Sequence, residues 1–127
     1  MTFLTPKRDV SFEIPDDWWR FAEMGSFTPN QFGFYLHQDR DEQSSIMIVS
    51  IEEVEPPKRN RGVPLFVKRR LMPILFGFTD TECQLPPVEV GECPGSNGYK
   101  YRLKNGCHRY YASVAVGYTK LPVLIRQ

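Results

Sequence analysis

The side chains best suited to covalent or metal chemistry in this chain are three thiols and two imidazoles: Cys83, Cys93, Cys107, His37 and His108. A zinc site would draw on Cys83, Cys93 and Cys107 with His108 or His37, because thiolate and imidazole are the usual zinc donors. The cysteines are separated by nine and thirteen residues, and the last is followed directly by His108. On a strand, neighbouring side chains leave opposite faces, so Cys107 and His108 cannot serve one ion there without a bulge. The same alternation parts them as a thiol–imidazole catalytic pair. Such a pair would need Cys83 or Cys93 with His37 or His108, and no spacing specifies it. An odd cysteine count, with no apolar leader in Met1 to Val10, argues for reduced thiols in a cytoplasmic protein rather than a disulfide framework. The expectation is three buried structural cysteines, no metal and no cofactor.

Other catalytic patterns are missing from the sequence. It holds no nucleophile elbow, no phosphate-binding glycine loop and no metalloprotease helix motif. Asp39, Arg40, Asp41 and Glu42 form an acidic turn without the glycine and alternating oxygen ligands of a calcium loop. The chain is therefore expected not to be an enzyme, a Cys/His site being the lower alternative.

Charge is more informative. The net charge of +1 over 127 residues conceals a segregation. Residues 1–55 carry eleven acids and four bases, whereas 56–70 and 94–127 each carry six bases and no acid. Grouping of this kind produces one-signed patches even on a nearly neutral protein. Composition is that of a folded chain, with 41% hydrophobic and 24% charged residues, and no apolar run approaches the roughly 18 residues of a membrane span. The length suits one domain over residues 1–127.

The elements that would position these groups follow from periodicity. Val10, Phe12 and Ile14 alternate with polar residues as a strand ended by Pro15, and Trp18, Trp19 and Phe21 read as core anchors at a turn or short helix. Phe32 to Leu36 reads as a second strand. Ser45 to Val54, apolar on both faces at its start, reads as a central covered strand. Its cover is the segment Gly62 to Phe78, where Val63, Val67, Leu71, Ile74, Leu75 and Phe78 share a helical face. Lys68, Arg69 and Arg70 lie off that face, and Pro73 should kink or end the helix. Pro86 to Val90 and Pro122 to Arg126 read as further strands. Asn105-Gly106 between Tyr99–Lys104 and Cys107–Tyr118 predicts a hairpin with a two-residue type I′ turn. That register opposes Arg102 to Arg109 and gathers Lys100, Arg102, Lys104, Arg109 and Tyr111, with Cys107, on one face.

The result is an α+β fold, an antiparallel sheet of about six strands with one main helix packed on it. Phe12-Glu-Ile-Pro-Asp-Asp-Trp18 resembles the opening strand-Pro-x-x-Trp of the Mog/PsbP-like superfamily. Ser45 to Val54, and Gly98-Tyr-Lys-Tyr through Tyr110-Tyr111, look like that fold's central strands. Members include a Ran-binding nuclear import factor, photosystem II extrinsic subunits, bacterial lipoproteins and secretion-associated proteins. The resemblance implies an interaction module without a shared catalytic set. Such domains often carry a further helix near the C-terminus, whereas Gln127 here directly follows the last expected strand, so the expectation is either a longer natural chain or an imperfect analogy.

The function expected is a non-catalytic protein-interaction domain, such as an adaptor, chaperone or immunity-type inhibitor. Its hairpin face of Lys100, Arg102, Lys104, Arg109 and Tyr111 would dock an acidic protein partner. Self-association through the acidic N-terminal half is one source of that partner. The alternative is nucleic-acid binding through the same face; no membrane role is expected.

Overall fold

The computed structural model describes residues 1–6, 11–27, 46–56, 66–79, 87–93 and 98–126. Alternation in Ser11–Glu13 (β2) buries Phe12, and this strand pairs antiparallel with Thr2–Leu4 (β1) so that Phe3 faces Phe12. Pro15 ends β2 and starts a short helix, Asp16–Phe21 (α1), whose acids sit in the first turn and whose Arg20 sits in the last, as the helix dipole favours. Trp19 is the buried anchor of the pair; Trp18 is half-buried under Lys68, and Phe21 is exposed.

Among the described residues five strands make the main sheet: Ile46–Ser50 (β3), Val54–Glu55 (β4), Val88–Glu92 (β5), Tyr101–Asn105 (β6) and Lys120–Ile125 (β7). Their order is β3-β7-β5-β6-β4. β3–β7 and β5–β6 are antiparallel, but β5–β7 and β4–β6 are parallel. The sheet is therefore mixed and not the antiparallel six-strand sheet expected. β3 also differs from expectation. It lies at the sheet edge among the described residues, with Met47 and Ile48 exposed, and the strand covered on both faces is β7, where Leu121, Pro122, Val123 and Leu124 are all buried. The strand expected at Phe32 to Leu36 lies outside the described residues.

Two helices, not one, pack together. Lys68–Thr79 (α2) buries Leu71, Met72, Leu75 and Phe78, and Cys107–Val116 (α3) buries Tyr110, Tyr111, Ala112, Ser113 and Val116. α2 begins later than the periodicity suggested. Its first bonds run to the Val67 carbonyl, so Val67 is outside the helix and exposed while Phe66 turns into the core. Leu71 and Leu75 are fully buried, as expected.

Pro73 does not end α2; it lies inside the helix at an exposed position. Its missing N–H leaves the Arg69 carbonyl without an intrahelical donor, a loss that water can offset on an exposed face. Pro73→Ala is accordingly expected to raise stability by about 2 kcal/mol, the interior proline penalty less the entropy that proline removes from the unfolded chain. Urea unfolding checks this, and a loss of stability in the variant would refute it.

Candidate functional site

β6 stops at Asn105, Gly106 takes φ +100° and ψ 31°, and α3 starts at Cys107. The hairpin expected here does not form. A type I′ turn needs two successive positive φ angles, and of Asn105-Gly106 only Gly106 has one. The Gly106 carbonyl instead accepts from the Tyr110 N–H at 2.9 Å, closing the first helical turn. The far end is a Schellman closure at Gly117, φ +99°. There the Gly117 N–H donates to the Val114 carbonyl (3.2 Å) and the Tyr118 N–H to the Ser113 carbonyl (3.0 Å).

The helix changes what stands beside what. A cleft of about 370 Å³ opens at its N-terminus, lined by Arg70 and Ile74 of α2, Leu103, Lys104 and Asn105 of β6, and Gly106, Cys107, His108 and Arg109. Successive residues on a helix diverge by roughly 100°, not 180°, so Cys107 and His108 border the same space. The N-cap residue, Gly106, has no side chain with which to cap the helix, and no acid lies in its first turn. First-turn amides have no intrahelical acceptor and carry the positive end of the helix dipole. Nor does any carboxylate line the cleft among the described residues.

The basic groups are held by the fold. Arg109 Nη1 donates to the Pro87 carbonyl at 2.7 Å, and Lys104 Nζ donates to the Arg126 carbonyl at 3.2 Å. His108 Nε2 accepts from the Val67 N–H at 2.9 Å, which ties the start of α2 to the start of α3, and its ring meets Phe66 edge-on at 5.6 Å. Nε2 is thus the unprotonated nitrogen of a neutral imidazole.

Burial holds the His108 imidazole below its ordinary value, and the charge of Arg70 lowers it further. The unfolded chain, with a value near 6.5, therefore takes up this proton first. The stability His108 contributes is present above about pH 6.5 and is lost as the pH falls through the folded-state value. Urea unfolding between about pH 7.5 and about pH 5 should show a steeper loss in the wild type than in His108→Gln. Equal slopes would remove His108 as the group responsible.

The five residues expected on one hairpin face are dispersed. Lys100 precedes β6 and Arg102 lies within it; Lys100 Nζ is 3.4 Å from Glu53 and Arg102 Nε is 3.8 Å from Glu55. Arg102 also donates to Cys93 Sγ at 3.6 Å. The β4–β6 pairing, Glu55 against Arg102, joins part of the acidic first half to the basic last third. Lys104 and Arg109 belong to the cleft, and Tyr111 is 2% exposed among Phe12, Phe66 and Tyr110. A common face for an acidic partner is therefore absent from the arrangement of these five residues. Arg70, Ile74, Leu103, Asn105 and Gly106 were not singled out as site residues by the sequence. The usable signal was a pair of glycines, Gly106 and Gly117, bracketing ten residues.

Cys93 and Cys107 are half-buried and not disulfide-bonded. Among the described residues no group of three His, Cys, Asp or Glu side chains is placed to hold a metal ion, and none of the helices is long and apolar enough to cross a membrane. Cys83 and His37 lie outside the described residues.

No family model matches the chain, and no curated protein matches it. Solved structures do. Sulfiredoxin from Arabidopsis thaliana is similar at 24% identity and a TM-score of 0.49, over 65% of this chain and 84% of that one. The C-terminally truncated chromosome-partitioning protein ParB from Caulobacter crescentus, complexed with CTP-gamma-S, is similar at 20% identity and a TM-score of 0.48 over 65% of this chain. The same ParB complexed to the centromeric parS site gives 21% and 0.43 over 64%. The matches cover 44% and 38% of the two ParB chains, less than half of either. None bears on the resemblance to the Mog/PsbP-like superfamily.

Proposed function

We propose that the chain binds a phosphate-bearing small molecule of nucleotide size in the cleft between α2 and the β6–α3 turn. One observation carries this reading: Arg70, Lys104 and Arg109 border, together with a helix N-terminus whose N-cap is a glycine, a space that no carboxylate lines among the described residues. Anions bind at helix N-termini because the amides point at them and the dipole favours negative charge. Guanidinium groups add fork-shaped, charge-assisted bonds to phosphate oxygens. The volume falls within the range of about 300 to 1,000 Å³ usual for small-molecule sites, and Ile74 and Leu103 supply an apolar wall for the rest of the ligand. This reading keeps phosphate recognition from the nucleic-acid alternative and moves it from a strand face to a turn.

Calorimetric titration with pyrophosphate and nucleoside triphosphates tests it. Binding should weaken with added salt and fall tenfold or more, roughly 1.4 kcal/mol, in Arg70→Glu. Arg102→Glu, outside the cleft, should bind as the wild type does. Equal binding by wild type and Arg70→Glu would refute the assignment.

Cys107 favours a second, catalytic reading. It is the first residue of α3 and borders the cleft, the setting in which thiols act as nucleophiles. Cys107→Ser would then retain triphosphate binding and lose any phosphate release, whereas unchanged release would leave the site a binding site alone.

A further inference from the structure

We infer that Glu89 is a positioning residue for this cleft, a carboxylate outside the lining that sets the two residues leading into the helix; the inference rests on reading the cleft as an anion site. Glu89 lies on β5 and its side chain is 27% exposed. Oε2 accepts from Asn105 Nδ2 at 2.8 Å, and Oε1 accepts from Arg126 Nε at 2.9 Å. The Arg126 carbonyl in turn accepts from Lys104 Nζ. Of the cleft residues, Asn105 thus bonds this carboxylate directly, and Lys104 is linked to it through Arg126, whose backbone N–H also donates to the Val90 carbonyl at 2.7 Å.

The strand register points the same way. Val90 pairs with Leu103 and Glu89 with Asn105, so β6 has one residue too many at Lys104. Bulges re-aim the side chain of the extra residue and recur beside functional sites. Lys104 crosses over Gly91, where a Cβ would sit 2.5 Å from Lys104 Cε, so the bulge, the glycine and the Glu89 bonds together direct the lysine. The hydrogen bond from Asn105, then that from Arg126, holds the Glu89 carboxyl below the usual carboxylate range, keeping it an acceptor at neutral pH. Glu89 also offsets part of the burial penalty on the Arg109 guanidinium.

Electrostatics and positioning make opposite demands, which allows a decisive test. A negative charge near an anion site weakens binding, so if Glu89 acts only by its charge, Glu89→Ala and Glu89→Gln should both bind pyrophosphate more tightly than the wild type. If it positions the turn, Glu89→Ala should lose affinity about tenfold despite shedding the charge, the scale on which supporting-shell partners act. Glu89→Gln should bind at least as well as the wild type. Its carbonyl accepts from Arg126, and its amide donates to Asn105 once the Asn105 amide turns over. Asn105→Ala should reproduce the Glu89→Ala loss, and it carries the test if Glu89→Ala does not fold.

Amide hydrogen exchange of the ligand-free proteins separates this inference from the binding assignment. Exchange at Tyr110, whose N–H closes the first turn on the Gly106 carbonyl, should quicken in Glu89→Ala and Asn105→Ala but not in Glu89→Gln, with Val49 and Ile51 unchanged. If the wild type fails to bind pyrophosphate, the phosphate reading falls and this exchange pattern alone decides the positioning role. Tighter binding by Glu89→Ala, or unaltered exchange at the turn, would overturn it.

Discussion

Gly106→Ala is expected to destabilise the protein by about 2 to 6 kcal/mol and to abolish ligand binding in the cleft. Two costs combine. At φ +100° a side chain strains the backbone, at about 1 to 3 kcal/mol. The added Cβ would also lie 2.8 Å from Val88 Cγ1 and 3.1 Å from Arg109 Nη2. Val88 is fully buried in the core and cannot retreat, so the contact adds an overpacking cost of about 1 to 3 kcal/mol. Gly98 supplies the control. Its φ is +78° but nothing lies within 4 Å of its Cβ position, so Gly98→Ala should cost only the strain, about 1 to 3 kcal/mol as at Gly106. Urea unfolding of both variants isolates the Val88 contact as the difference, and equal losses would show that the close approach does not matter.

Tyr111→Ala should cost about 3 to 5 kcal/mol, the range for emptying an aromatic site in a core. Its ring lies 5.0 Å from Phe12, 5.1 Å from Tyr110 and 6.1 Å from Phe66. The residue therefore joins β2, α3 and the segment leading into α2. A tyrosine on a solvated strand face would cost less than about 0.5 kcal/mol on the same substitution, and that result would restore the hairpin. Arg109 points the same way. Anchored on the Pro87 carbonyl, it should not tolerate Arg109→Glu as a strand-surface arginine would, because a carboxylate would face a carbonyl oxygen there.

Elements whose periodicity was unambiguous were legible in the sequence. Phe12 and Ile14 alternate and are buried, and Leu71, Leu75 and Phe78 recur at helical spacing and face the core. β5 and β7 fall within two residues of the strands expected at Pro86 and Pro122. The segment Cys107 to Tyr118 was misread because it satisfies two periods at once. Tyr110, Ala112, Val114 and Val116 alternate as a strand would, while Cys107, Tyr110, Tyr111 and Val114 recur as a helix would. Asn-Gly then favoured the hairpin, although a single glycine at positive φ serves equally to start a helix from a strand. The parallel pairs escaped because local patterning carries no pairing direction. The dispersal of Arg109 and Tyr111 from the expected face comes from that one segment. Reading it as a strand sent Cys107 and His108 apart and brought Tyr111 to the surface.

Alkylation of Cys107 with and without ligand tests the phosphate cleft most directly, because the thiol borders it and each cysteine reports separately by mass spectrometry. A saturating nucleoside triphosphate should slow iodoacetamide modification of Cys107 severalfold while leaving Cys93, beside Arg102 and outside the cleft, unchanged. A Cys107 rate indifferent to triphosphate and pyrophosphate, or one that slows only in parallel with Cys93, would contradict the assignment.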